Sequence, residues 1–298
     1  MHTGTQNLIT AVGDADIVMS WPDIGTEYAL SSYIGSGQMA DVYVAKHLPS
    51  RCQVAVKVLR PELSKDKNAK ARFRREVETV ARLDSKHTIR FFDFGETAAG
   101  NMFIVMELMR GVDLRTHMKH HGPASAEDAL VIITQIARSL SDAHTAGVIH
   151  RDLKPENVQF VRDGSVDLKV LDFGLAKLID PQVKGKLTGK MVTVGTPAYL
   201  APEAAVAGRR VDWRADLYSL AVLAFELLTG RLPFTEKRPM EMMIAHVTQP
   251  IPSALELRPD LPRSVDVFFR AALAKDPTRR IASAELFVRA FADALQPH

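Results

Sequence analysis

Between Tyr28 and about Glu107 the apolar positions come in short runs: Tyr33-Ile34, Val42-Tyr43-Val44, Val54 to Leu59, Ile89 to Phe94 and Met102 to Met106. Each run is rich in β-branched or aromatic residues, a composition that suits half-buried strands. One stretch breaks the pattern. From Lys65 to Leu83, Phe73, Glu76/Val77, Val80 and Leu83 recur at helical spacing. From Ala126 onward the helical period dominates and predicts helices over 126–146, 213–229, 239–248, 264–274 and 282–294. Pro202, Pro233, Pro239, Pro250, Pro252 and Pro277 punctuate them. The texture changes near residues 108–112. The pattern therefore predicts an α+β chain of two lobes, a small β-rich one over 28–107 with one main helix and a larger α-helical one over 108–298. Residues 1–27 are weakly patterned and read as an N-terminal extension, and no internal repeat is present.

Composition narrows the class. With 298 residues, 46% apolar and 24% charged, the chain can bury a sizeable core and is not a disordered sequence. The richest apolar stretch, Leu217 to Leu228, is short and contains Glu226, so it reads as a buried helix and not a membrane span. A net charge of +3 is too small to argue for nucleic acid as a partner. Cys52 is the single cysteine, which excludes an intrachain disulfide and suits a reducing, cytoplasmic setting. Met1-His2-Thr3-Gly4 opens without a basic or apolar leader, so no secretory signal is expected.

Candidate chemistry begins at Gly35-Ser36-Gly37, between two strand signals. Glycines there let backbone amides approach an anion, although such a pair in a hairpin is more often just a turn. A strand and not a helix follows them, which excludes the dinucleotide-binding fingerprint. In Val54 to Leu59, alternation puts Val54, Val56 and Val58 on one face and Ala55, Lys57 and Leu59 on the other. A lysine in such a run either snorkels at an edge or is held by an anion, and Glu76, on a stripe that should face the core, poses the mirror problem. Pairing the two resolves both and leaves an ammonium able to hold phosphate oxygens. The alternative for Glu76 is a solvated position at the margin of the stripe. Further on, His150-Arg151-Asp152-Leu153-Lys154-Pro155-Glu156-Asn157 concentrates an imidazole, cations, carboxylates and an amide, and Asp172-Phe173-Gly174 follows an apolar run. Asn157 and Asp172 could share a hard cation such as Mg²⁺, with Asp152 near enough in sequence to accept a hydroxyl proton.

Together these elements resemble a eukaryotic-type protein kinase of the bacterial Ser/Thr branch. The glycine loop appears as Gly35, Gly37, Ala40 and Val42, the lysine strand as Val54 to Lys57, and the catalytic loop as His150 to Asn157. Asp172 to Gly174 and Ala201-Pro202-Glu203 complete the set, over about 260 residues. The resemblance implies a bilobal protein-kinase fold and transfer of the ATP γ-phosphoryl to protein Ser/Thr hydroxyls. It implies that Ile34, Gly35, Gly37 and Val42 cover the nucleotide, and that Lys57, oriented by Glu76, holds its α- and β-phosphates. Adenine would lie against Ala55, bonded to backbone at Glu107 and Met109, with Met106 as gatekeeper and Asp113 on the ribose. Asn157 and Asp172 would bind Mg²⁺, for which Mn²⁺ could substitute. Asp152 would take the hydroxyl proton and Lys154 would neutralise the phosphoryl group in transit. Thr196 would bond Asp152 and Lys154, and Arg280 would pair with Glu203. Ala40, where the family has its third loop glycine, is the visible departure and puts loop mobility in question.

The run Leu175 to Val194 resembles an activation loop, with Thr188 and Thr193 as candidate phosphosites and Arg151 as the cation that would receive the phosphate. Autophosphorylation in trans would bring two copies together as a homodimer. The alternative is a merely solvated basic loop. His117, His120 and His121 lack a partner cluster and read as a solvated helix end, not a metal site. Two rival classes, a silent ATP-binding scaffold and a small-molecule phosphotransferase, conflict with the intact Lys57, Asp152 and Asp172 and with the Gly195 to Glu203 segment. Relatives of this branch often continue into a membrane span and sensor domain. A chain ending at His298 is thus expected to be a soluble kinase or a piece of a longer one.

Overall fold

The structure, a computed structural model, describes residues 21–37, 40–61, 67–173, 196–206 and 208–296. In the small lobe β1 (Tyr28–Ser36), β2 (Ala40–His47), β3 (Gln53–Leu59), β4 (Phe91–Glu96) and β5 (Met102–Glu107) form an antiparallel sheet in the order β1-β2-β3-β5-β4. Helix α1 (Lys67–Val80) interrupts them as predicted, burying Phe73, Val77 and Val80. The expected alternation in β3 is present: Val54, Val56 and Val58 join Ala45, Phe103 and Val105 on the outer face, while Ala55 and Lys57 face the cleft.

That outer face has a cover that the sequence pattern did not reveal. Ile24 is only 6% exposed and belongs to the same apolar cluster. Trp21 packs its ring 5.4 Å from that of Tyr43, and the Asp23 and Glu27 carbonyls accept from the Ala98 and Leu48 amides. An antiparallel sheet of valines and phenylalanine needs such a cover, because water is otherwise its only neighbour on that side.

The larger lobe follows with α2 (Leu114–His121), α3 (Ala126–Thr145), β6 (Val158–Phe160), β7 (Leu168–Val170), α4 (Pro202–Ala205), α5 (Arg214–Thr229), α6 (Pro239–Thr248), α7 (Ser264–Ala272) and α8 (Ala284–Ala294). Helix α5 is buried from Ala215 to Thr229 on all sides, which explains why its sequence is apolar without a polar stripe. Ser125 caps α3 by accepting from the Asp128 amide, and Gly230 ends α5 at φ +72°.

The lobes are stitched together at two places. Ser85 to Ile89 docks on the larger lobe, with Ile89 N donating to Val170 O, Val170 N to His87 O, and Thr88 Oγ1 lying 2.6 Å from Ser139 Oγ. The crossing after β5 runs so close to β6 that a Cβ on Gly111 would stand 2.5 Å from the Phe160 carbonyl oxygen, and only glycine fits there. Between these two seams lies the cleft. Among the described residues no helix is long and apolar enough to cross a membrane.

Candidate active site

The cleft encloses about 850 Å³. Ile34, Gly35, Gly37 and Val42 line its roof, Ala55 and Lys57 come from β3, and Met106, Glu107 and Met109 come from the crossing segment. Asp113, Asp152, Lys154, Asn157 and Asp172 line the opposite wall. The structure thus brings together every site residue expected from the sequence except three. Glu76 does not line the cleft, and Thr188 and Thr193 lie outside the described residues.

The chemistry rests on how the His150–Asn157 loop is held. Asp216, 1% exposed at the start of α5, accepts the His150 amide on Oδ2 and the Arg151 amide on Oδ1, both at 2.8 Å. That grip keeps Arg151 at φ +67°, a conformation costly for a side chain larger than glycine's. His150 is itself a strut. Its Nδ1 accepts the Asp152 amide at 3.2 Å, so the ring proton sits on Nε2, which donates to Leu171 O at 2.8 Å. The buried Phe173 ring stands edge-on to it, 4.7 Å away.

Asp152 receives three donors: Lys154 Nζ at 2.8 Å, the Thr196 amide at 3.1 Å and Asn157 Nδ2 at 3.2 Å. Lys154 Nζ also donates to Thr196 Oγ1 at 2.9 Å, so Thr196 does bond both residues. The carboxylate is fixed in direction, and a cation stands beside it.

The Lys57 ammonium pairs with Asp172 Oδ1 at 2.6 Å. Asp172, at φ +60° just past β7, presents its carboxylate directly to β3, whereas Glu76 stays half-buried at the margin of the apolar stripe of α1. Burial opposes ionisation of Asp172, but the Lys57 ammonium outweighs it, with the Lys154 cation adding to the effect, and the carboxyl titrates below its usual range. An ionised carboxylate beside an amide whose nitrogen is committed to Asp152, leaving its oxygen, offers two hard oxygen donors. These fit a divalent cation. Asp113 uses its carboxylate to cap α2, accepting the Thr116 amide at 2.9 Å and hydroxyl at 2.8 Å. Met109 has no backbone hydrogen bond among the described residues, which leaves a donor and an acceptor at the rim of the cleft.

Two supports were not foreseen. Arg115 of α2 ties together Glu156 at 2.9 Å, Glu226 at 2.7 Å and the Tyr199 hydroxyl. The signal was present: a glutamate inside the apolar α5 must have a partner. Arg60 reaches the glycine loop, and nothing in its sequence context announced it.

The profile described as "Protein kinase domain" matches residues 28–292. This chain belongs to the protein kinase family. The kinase is 39% identical over 269 residues to the Serine/threonine-protein kinase pkn3 of Myxococcus xanthus, covering 89% of this chain and 49% of that one. It is 38% identical over 257 residues to the Serine/threonine-protein kinase PknH of Mycobacterium tuberculosis, covering 86% and 40%. The chain thus spans under half the length of these curated relatives. Among solved structures, the PknI kinase domain of Mycobacterium tuberculosis superposes with a TM-score of 0.72 at 31% identity, covering 93% of this chain and all of that one. The family implies ATP and a divalent cation as the occupants of the cleft.

The buried pair of Arg280 and Glu203 is formed as the resemblance implied, bidentate at 2.7 and 2.6 Å. His117, His120 and His121 gather no metal cage among the described residues; His121 Nδ1 lies 2.9 Å from the His117 carbonyl oxygen and their rings stack.

Proposed function

We propose that this kinase transfers the γ-phosphoryl group of Mg²⁺-bound ATP to serine and threonine hydroxyls of protein substrates. The observation that carries the reading is Asp152, aimed by Thr196, Lys154 and Asn157 within the same cleft as Lys57 and Asp172. Phosphoryl transfer asks little covalent help of a protein; placement and charge neutralisation supply most of the acceleration. Asp152 orients the acceptor hydroxyl and takes its proton. Lys154 holds positive charge where the phosphoryl group passes, and Lys57 holds the nucleotide's phosphates. Asn157 and Asp172 hold the cation, which when bound neutralises phosphate charge. The glycine loop excludes water above, and the Met109 amide and carbonyl are placed to read adenine.

The Ser/Thr preference is supported by the Lys154–Thr196 contact next to Asp152, in a segment resembling that branch, and by the names of the relatives. Arg151 adds a regulatory reading. Its Nε is buried and meets no acceptor among the described residues, and a phosphate on Thr188 or Thr193, delivered by a second copy, would supply one. The site of action proposed is the cytoplasm, where ATP is available.

The test is a reaction of the purified protein with Mg²⁺, labelled ATP and a peptide library containing Ser, Thr and Tyr, beside Asp152→Asn. We expect phosphoserine and phosphothreonine in the library, label on Thr188 or Thr193, and a drop of about 10²–10⁴-fold in the variant. Near wild-type turnover by Asp152→Asn, or phosphotyrosine alone, would overturn the assignment.

A further inference from the structure

Arg60 follows directly after β3 and reaches back across the β2–β3 pair to the glycine loop. Its Nε and Nη2 both donate to the Gly37 carbonyl, at 3.2 and 3.0 Å, and Nη2 also donates to Ser36 Oγ at 2.7 Å. The Ser36 hydroxyl passes the contact on to Asp41 Oδ1 at 2.6 Å, which itself lies 3.7 Å from the guanidinium. One planar fork therefore joins the end of β1, the start of β2 and the turn between them.

Among the described residues that turn has few other ties. Gly35 and Gly37 bring no side chains, and a Cβ built at Gly35 meets nothing within 4 Å. The pairing of β1 with β2 shifts register twice, between Leu30 and Ser32 and between Tyr33 and Gly35, and its last pair is Ser36 with Asp41, beyond which the strands no longer hold the turn. Within the turn, the Gly37 amide bonds the Ala40 carbonyl at 2.8 Å. Glycine loses more conformational freedom on ordering than any other residue, and a loop ordered in advance spares the nucleotide that cost.

We propose that Arg60 is a positioning residue that pre-sets the glycine loop over the cleft and thereby sets nucleotide affinity. This rests on reading the cleft as the nucleotide site. The Arg60 side chain is 42% exposed, so solvent screens the contact and the effect is modest.

The experiment compares wild type, Arg60→Ala and Arg60→Lys. It measures Mg²⁺–ADP binding by calorimetry, KM and kcat for ATP, and hydrogen exchange of residues 33–43 without nucleotide. Arg60→Ala should bind ADP about five- to tenfold more weakly, with the loss on KM and not on kcat. Its loop amides should exchange faster while the unfolding midpoint stays put. Arg60→Lys keeps one donor without the fork and should fall between. Wild-type ADP affinity in Arg60→Ala, unchanged loop exchange, or kcat falling in step with KM would each overturn the role of Arg60. Failure of the wild-type protein to bind ADP would overturn the nucleotide reading instead, and the exchange arm keeps the two failures separate.

Discussion

Asp152 in the larger lobe and the glycine loop in the smaller one face each other across the cleft but are held by different physics. Asp152 stands on buried charge: Asp216 grips the loop before it, Arg115 and Glu226 brace the segment carrying Thr196, and Arg280 with Glu203 closes the base at 0% and 3% side-chain exposure. Burial pushes the Tyr199 hydroxyl far up, with Glu226 adding to the shift. Burial opposes the charge on Arg115, yet its bond to Glu226 holds that guanidinium firmly protonated. The glycine loop hangs from Arg60, and α1 reaches β4 through Lys70 and Glu96 at 2.6 Å; all of these contacts face solvent. Buried pairs lose several kcal/mol if one partner is removed, whereas exposed pairs are screened and contribute about 0–1 kcal/mol. Groups that must keep one geometry through the reaction sit on the unscreened network. The part that must admit and release nucleotide rests on contacts that yield at little cost.

The strongest way to break this contrast is Glu203→Ala. It leaves the Arg280 guanidinium buried without its carboxylate, which should cost about 3–5 kcal/mol. Chemical denaturation should show the midpoint falling with an unchanged slope. Replacing the pair together by Glu203→Leu and Arg280→Met should recover much of the loss, because the penalty lies in the stranded charge. A single variant as stable as wild type would mean that the buried pair is no anchor.

A second test uses pH. His246 is fully buried in α6, with Nδ1 2.9 Å from the Tyr218 hydroxyl and Nε2 3.1 Å from the Ala198 carbonyl. Burial, and next the Lys275 cation, lower its pKa from 6.5 to about 4. The folded state therefore keeps it neutral while the unfolded chain takes up a proton below pH 6.5. Its contribution is complete above pH 6.5 and is lost as pH falls from 6.5 toward 4, by up to about 3 kcal/mol. Lys275, itself pushed down to about 8 by burial and then by Arg280, donates to the His246 carbonyl at 2.7 Å and stays charged through that window. Unfolding free energies at pH 7 and pH 4.5 should differ less in His246→Gln than in wild type, and equal differences would exclude this histidine as the source.

How much of this was legible in the sequence follows from where each constraint acts. Strand alternation around Lys57 and the helical period of 239–248 are local, and both appear as read. Asp152, Lys154 and Asn157 were legible because the loop packs them within a few residues; Asp172 follows 15 residues later in its own Asp-Phe-Gly run, and the strand pair β6 and β7 brings it beside Asn157. The Lys57–Asp172 pair was not, because the two residues stand 115 positions apart and no local pattern joins them. Arg115 and Arg60 act across 111 and 23 residues, on Glu226 and Gly37, and no periodicity encodes such pairings. Trp21 to Glu27 was the hardest to read. One isoleucine among polar neighbours carries no pattern, yet it fills the outer face of the sheet.

Ile24 also gives the gentlest test of the contrast between the lobes. Truncating Ile24 to Ala removes apolar surface from the cluster of Val54, Val56, Val58, Phe103 and Val105 without touching a charge. Buried isoleucine truncations cost about 2–5 kcal/mol; at the rim of a lobe, where neighbours and solvent can close the gap, the lower end of about 2 kcal/mol applies. If the lobes are held independently, the loss stays local: amides of β2, β3 and β5 should lose hydrogen-exchange protection while those of α5 keep theirs. If α5 loses protection in step with the sheet, the two lobes open as one unit. The buried charge below would then owe its rigidity in part to the apolar cover above.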